Sequence, residues 1–178
     1  DDPSREFFTL EELQAAANVP CEMPILKSAF IFSSLTDLRW SDIEKLVWSE
    51  VQYSEQSGYY IRFRQKKTKG AETLPISEQA FTLLGERKKQ DDKVFDGLYY
   101  SAWHNLKLRE WVMKAGITKH ITFHCARHTY ATLQITLGTD IYTVSKLLGH
   151  RHLKTTEIYA KVIDHKKQEA ANKIKIDL

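Results

Sequence analysis

Cysteine is scarce in this chain. Cys21 and Cys125 are the only two among 178 residues, and two isolated thiols far apart suit a reducing compartment and exclude a disulfide framework. Long apolar runs are missing as well. No stretch nears the roughly 20 residues that cross a bilayer, and the opening DDPSREFFTLEEL has no basic segment leading into an apolar one, so neither a membrane span nor a secretory leader is expected. The cytoplasm is the expected location, and no membrane partner is expected. Seven glycines and four prolines are scattered rather than clustered, which excludes collagenous and low-complexity classes. No internal repeat is present. What remains, 42% hydrophobic and 28% charged residues, is the composition of a globular domain long enough to close one core without metal or disulfide.

The net charge of +3 hides an asymmetry. Residues 1–100 hold 13 Lys and Arg against 17 Asp and Glu, a balance of −4; residues 101–178 hold 13 against 6, a balance of +7. A basic half is most simply a solvated surface, but it also suits a polyanion, because lysine and arginine near phosphates release condensed counterions.

Local patterns predict a mostly helical α+β domain. Thr9 with Glu12 has the form of a capping box and predicts a helix over 10–17, stopped by Asn18-Val19-Pro20. A second helix follows Pro24; Ile25, Leu26, Ala29, Phe30, Phe32 and Leu35 cover so much of its circumference that burial is expected. Ser41 and Glu44 repeat the capping-box spacing and predict a short helix through Leu46. Between Val51 and Pro75 the period changes to two: Tyr59, Ile61 and Phe63 alternate with Tyr60, Arg62 and Arg64, with turns at Ser57-Gly58 and Lys69-Gly70, which predicts a small antiparallel sheet. Helices are predicted again over 77–89, along a stripe of Trp103, Leu106, Trp111, Val112 and Ala115 ending at Gly116, and from about His124 to Leu137 before Gly138. Two more are predicted, one capped by Asp140 and ending at Gly149, the other starting at Thr155 or Thr156 and carrying Tyr159. Gln90–Lys93 is expected to be a solvated loop. The tail, 166–178, is charged and ends in Ile174, Ile176 and Leu178.

Chemistry concentrates in a few residues. In TFHCARHTYATL, His124 and Arg127 lie three apart and leave one helix face. SKLLGHRHLKTTEIYAKV sets His150 and, further on, Tyr159 beside Arg151, His152 and Lys154, and TDLRWSDI supplies Arg39. Taken alone, Tyr159 reads as an ordinary aromatic, and Arg39 as a salt-bridge partner of Asp37 or Asp42. Together, two arginines, two histidines and a tyrosine suit a phosphodiester. Arginine's planar fork matches paired phosphate oxygens, and a phenol helped to ionise by nearby cations could attack phosphorus.

From about Phe8 to Lys166 the chain resembles the catalytic domain of tyrosine recombinases, the phage integrase family. The resemblance rests on an ordered set: Arg39, a hairpin lysine, His124-x-x-Arg127, Leu148-Gly149-His150, and Tyr159 nine residues after that histidine. It implies that Arg39 and Arg127 bind the scissile phosphate, that His124 assists proton transfer and that His150 hydrogen-bonds the phosphate. It further implies that Lys67 protonates the departing 5′ oxygen and that Tyr159 is the nucleophile. Lys66, Lys67 and Lys69 all lie near the hairpin turn, and the Lys67-Thr68 pattern favours Lys67. The implied activity is metal-independent, cofactor-free cleavage and rejoining of double-stranded DNA through a 3′-phosphotyrosyl bond, for integration or excision of a mobile element. The resemblance also implies a homotetramer in the synaptic complex. Residues 1–178 would then be one catalytic domain with 166–178 as its C-terminal tail, a fragment without the upstream DNA-clamping domain usual in such enzymes. Asp37 departs from the family, which commonly has glycine before the Leu-Arg of the first box, and it brings an acidic group near the incoming phosphate.

Three rival functions share these residues. His120, His124 and His128 recur every four residues beside Cys125, a spacing that can hold zinc. A DNA-binding module without cleavage would keep the basic face and lose one of Arg39, Arg127 or Tyr159. A topoisomerase-like enzyme would use the same tyrosine but relax supercoils as a monomer.

Overall fold

Thr9 does what its spacing with Glu12 predicts: its hydroxyl accepts from the Glu12 N–H at 3.1 Å, while the Glu12 carboxylate accepts from the Thr9 N–H at 3.0 Å. These two bonds close the first turn of α1 (Leu10–Ala17). α2 (Pro24–Thr36), α3 (Trp40–Lys45) and a 3-10 turn at Trp48–Glu50 follow, then the strands β1 (Val51–Ser54), β2 (Gly58–Arg64) and β3 (Ala71–Pro75). Then come α4 (Glu78–Thr82), α5 (Ala102–Lys114), α6 (Cys125–Thr136), α7 (Ile141–Leu147) and α8 (Thr156–Ala171). The computed structural model describes residues 6–64, 70–148 and 156–177, with 156–163 by backbone alone. Two compact units share these elements, Glu6–Tyr130 and, from within α6, Ala131–Leu178.

The sheet has strand order β1-β2-β3 and is antiparallel throughout. Its register pairs Val51 with Ile61, Ile61 with Leu74 and Arg64 with Ala71. Period two sends Ile61 and Phe63 into the core and leaves Arg62 and Arg64 in solvent. Gly58 begins β2 at φ +70°, a backbone angle that glycine adopts without strain.

Three expectations about helices need correction. The predicted helix over 77–89 is only Glu78–Thr82, capped by Ser77; Gly85 takes φ +78°, and the chain beyond it is used as a strap. There the Arg87 guanidinium donates to the carbonyls of Val51 and Trp48 at 3.0 and 2.9 Å. The Ser41 box does not form. α3 starts at Trp40 with Arg39, which is extended, in the cap position, two residues earlier than a Ser41 cap would require. On α5 the buried face is His104, Leu108, Trp111 and Val112, one stripe at helical spacing, whereas Trp103 and Leu106 stand off it and are exposed. Lys107 lies 4.6 Å over the Trp103 ring and covers part of it.

Phe30 on α2 is the hub of the first unit's core. Its ring meets Phe8 at 5.5 Å, Trp111 of α5 at 5.6 Å and Phe123, just before α6, at 5.7 Å. Trp111 adds a polar tie, its Nε1 donating to the carbonyls of Ala16, in the last turn of α1, and of Val19 just beyond it. The Phe8 N–H donates to the Thr129 hydroxyl at 2.9 Å, which fastens the start of the unit to α6. In the second unit Gly138 ends α6 at φ +103°, and the Asp140 carboxylate accepts from the Thr143 N–H at 2.8 Å to begin α7. Ile174 and Ile176 beyond α8 are 86% and 73% exposed. No helix among the described residues is long and apolar enough to cross a membrane. Truncating Phe30, which is fully buried, to alanine is expected to cost about 3–5 kcal/mol, the range for emptying a phenyl site. Urea unfolding checks this, and a loss below about 1 kcal/mol would mean that the aromatic cluster repacks.

Candidate functional site

The site begins where α2 ends. Asp37 caps that helix in the left-handed region, φ 65°, and is the one non-glycine residue with positive φ among the described residues. Two hydrogen bonds fasten the corner from inside: the Asp37 N–H donates to the Ser33 carbonyl at 2.9 Å, and the Ser33 hydroxyl donates to the Leu38 carbonyl at 2.7 Å. Arg39 comes next, half-buried and extended, as the residue from which α3 departs. Trp40 then packs edge-on against Phe123 at 4.7 Å and near His104 at 6.4 Å. Since Phe123 also packs on Phe30, one aromatic chain carries the α2–α3 corner to the start of α6.

Arg127 projects from the first turns of α6 into that corner. Its Nε donates to the Asp37 carbonyl at 2.9 Å and to Asp37 Oδ1 at 3.0 Å, and its Nη2 donates to Asp37 Oδ2 at 3.2 Å. Both side chains are 5% exposed. Residues ninety apart in sequence thus form a buried, doubly bonded ion pair, two positions from Arg39. His124 lies just before α6, its carbonyl accepting from the Arg127 N–H at 3.1 Å and its side chain exposed. The Asp37–Arg127 bonds therefore bring the segments that carry Arg39, His124 and Arg127 to one corner of the first unit. Lys67 and His150 lie outside the described residues; Tyr159 falls on α8, and its side chain lies outside them too. Sequence reasoning placed Asp37 near the phosphate through its closeness to Arg39 but missed its bonds to Arg127, for which no local signal exists.

The histidine spacing that suggested zinc does not stay on one helix. His120 precedes α6 and is exposed, His124 is exposed, and His128 is buried with its ring 4.9 Å from that of His124. Among the described residues no group of three His, Cys, Asp or Glu is arranged to hold a metal ion. The Cys125 sulfur instead accepts from the Thr122 N–H at 3.3 Å.

A family model described as the phage integrase family matches residues 6–166. The chain belongs to the phage integrase family. A curated relative, tyrosine recombinase XerA of Saccharolobus solfataricus, is 41% identical over 106 residues, covering 58% of this chain and 35% of the relative. Among solved structures, the catalytic domain of bacteriophage HP1 integrase is similar at 26% identity with a TM-score of 0.61, covering 94% of each chain. The XerH site-specific recombinase bound to palindromic difH substrate, a post-cleavage complex, is similar in fold at 17% identity with a TM-score of 0.68, covering 95% of this chain and 53% of that one. The chain spans 23–43% of the length of these curated relatives. Integrase-family catalytic folds thus account for nearly all of it.

Next to the arginine corner, burial pushes the His104 imidazole below its usual value of 6.5. Its Nδ1 lies 2.6 Å from the Ser101 hydroxyl, and the ring is 2% exposed. The unfolded chain therefore binds the proton first as pH falls, so this stabilising contribution is full above about pH 6.5 and is lost as pH drops toward the lower folded value. Asparagine at 104 keeps a polar atom for Ser101 and does not titrate. In His104→Asn the decline of Tm between about pH 7 and pH 5 is expected to be shallower than in the parent protein. A slope equal to the parent's would remove His104 from the pH response.

Proposed function

We propose that this chain cuts and rejoins double-stranded DNA site-specifically through Tyr159, in the integration or excision of a mobile element. The observation that carries the reading is the bonding of Arg127 to Asp37, two positions from Arg39, because it brings two arginine-bearing segments to one corner, where a pair of guanidinium groups would suit the paired oxygens of a phosphodiester. In this reading Arg39 and Arg127 hold the scissile phosphate and stabilise the charge that grows on its oxygens during attack. The Tyr159 oxygen forms a bond to phosphorus, the bond to the 5′ oxygen breaks, and a 3′-phosphotyrosyl linkage is left. Lys67 gives its proton to the departing 5′ oxygen, His124 assists proton transfer and His150 hydrogen-bonds the phosphate. A second 5′ hydroxyl reverses the step on a new strand, since the covalent link conserves the energy of the broken ester. The cations on this chain do the electrostatic work that divalent ions do in many phosphoryl-transfer enzymes.

Support for DNA as the partner comes from the DNA-bound XerH structure of similar fold and from the +7 balance of residues 101–178. We further propose that the chain is the catalytic portion of a longer protein whose upstream domain grips the other face of the DNA; its 35% coverage of the XerA relative supports this. The tail, with Ile174 and Ile176 in solvent, would dock on a neighbouring protomer in a synaptic homotetramer.

A nicked duplex bearing the element's end sequence, which traps the covalent intermediate, tests the chemistry in the full-length protein. Tyr159→Phe is expected to abolish the protein–DNA adduct and leave DNA affinity nearly unchanged, because one hydroxyl is removed. An adduct from the phenylalanine variant would exclude Tyr159 as nucleophile. For the acid, Lys67→Ala is expected to slow cleavage by about 100-fold or more. Sulfur in place of the bridging 5′ oxygen should restore most of the rate, since a thiolate with a pKa near about 8.5 leaves without a proton. Rescue of Lys66→Ala or Lys69→Ala instead would move the role to that lysine.

A further inference from the structure

Asp37 stands where a glycine would be the less strained choice. Its φ of 65° is a conformation in which an L side chain crowds its own backbone, and strain of this kind persists when the side chain does something that glycine cannot. Here the side chain accepts two hydrogen bonds from the Arg127 guanidinium, with both groups 5% exposed. Aiming the guanidinium does not require that carboxylate. The carbonyl of residue 37 already accepts from Nε at 2.9 Å, and any residue there would supply that carbonyl. What the side chain adds is a negative charge.

We infer that Asp37 is a charge-setting residue that acts through Arg127 and weakens the hold of this corner on a DNA phosphate. A buried guanidinium with its own carboxylate is a neutral pair, so a phosphate arriving beside it meets far less attraction than a lone cation would offer in the same low dielectric. Weak retention suits a reaction that must run in both directions, because a phosphate held too firmly after strand transfer slows release of the rejoined DNA. The inference rests on the DNA-cleavage reading above and assigns its site a control that lowers affinity and initial rate together.

Asp37→Asn and Asp37→Gly in the full-length protein test it. Asparagine keeps the shape and an acceptor oxygen and tolerates the left-handed backbone, while glycine removes the side chain and relieves the strain; the two load the fold differently, and the thermal unfolding of each is measured before its binding. Affinity is measured first, in a Tyr159→Phe background where cleavage plays no part, on a duplex carrying the element's end sequence. Both variants are expected to bind roughly tenfold tighter, a change of about 1.4 kcal/mol, and the log–log dependence of binding on salt should steepen by about 0.9, one extra phosphate contact. With Tyr159 intact, the DNA concentration giving half-maximal adduct rate should fall by a similar factor. Adding Arg127→Ala should erase these gains, as it must if Asp37 acts through that arginine. Unchanged or weaker binding in a folded variant would overturn the inference, and a gain that survives Arg127→Ala would move the effect to another cation. The two readings fail separately: wild type that binds the duplex without forming an adduct sinks the Tyr159 chemistry while the affinity comparison still decides Asp37, and wild type that does not bind DNA overturns both.

Discussion

A carboxylate at the end of one helix and a guanidinium at the start of another, ninety residues later, share a buried ion pair on which the architecture of the first unit converges. Such a pair is favourable only where both charges keep good hydrogen-bond geometry, since each has left water. The surroundings supply that geometry. Phe30 and Phe123 pack α2 against the approach to α6, Trp40 extends the aromatic chain past the corner, and Ser33 holds the Leu38 carbonyl so that Asp37 keeps its left-handed turn. If the corner moved by an ångström, three hydrogen bonds to one guanidinium would be lost together.

What could be read from the sequence was what is local. Thr9 with Glu12, Asp140 and the stop at Gly138 declare helix ends within four residues of themselves, and the structure has each of them. The period-two stretch around Ile61 likewise specifies a sheet face without outside help. Failures came where tertiary demands outweighed a local pattern. Trp103 and Leu106 are apolar, but the face of α5 that meets Phe30 is the one carrying His104, Leu108, Trp111 and Val112. Arg87 lies within a helix-like run, yet its guanidinium satisfies two carbonyls at the edge of the sheet and the helix stops short. Ser41 has cap-like spacing, but Asp37 sets where the next helix begins.

The candidate site divides in the same way. Arg39, His124 and Arg127 were legible as members of an ordered set, because short motifs carry their residue types and spacing with them. Which carboxylate would face which arginine was not legible. Asp37 is two positions from Arg39 and ninety from Arg127, and its carboxylate accepts two hydrogen bonds from the distant one. Long-range pairing depends on how α2 and α6 pack, and packing leaves no trace in a five-residue window.

The three-stranded sheet has a bearing on the life of the protein in concentrated solution. Its outer members are β1, only four residues long, and β3, which carries Glu72 and closes on Pro75, a residue with no N–H to offer. Short, charged and proline-bearing rims make poor templates for a strand from a second molecule. Colloidal behaviour is thereby protected at the one sheet among the described residues, where β-type fibre growth would start.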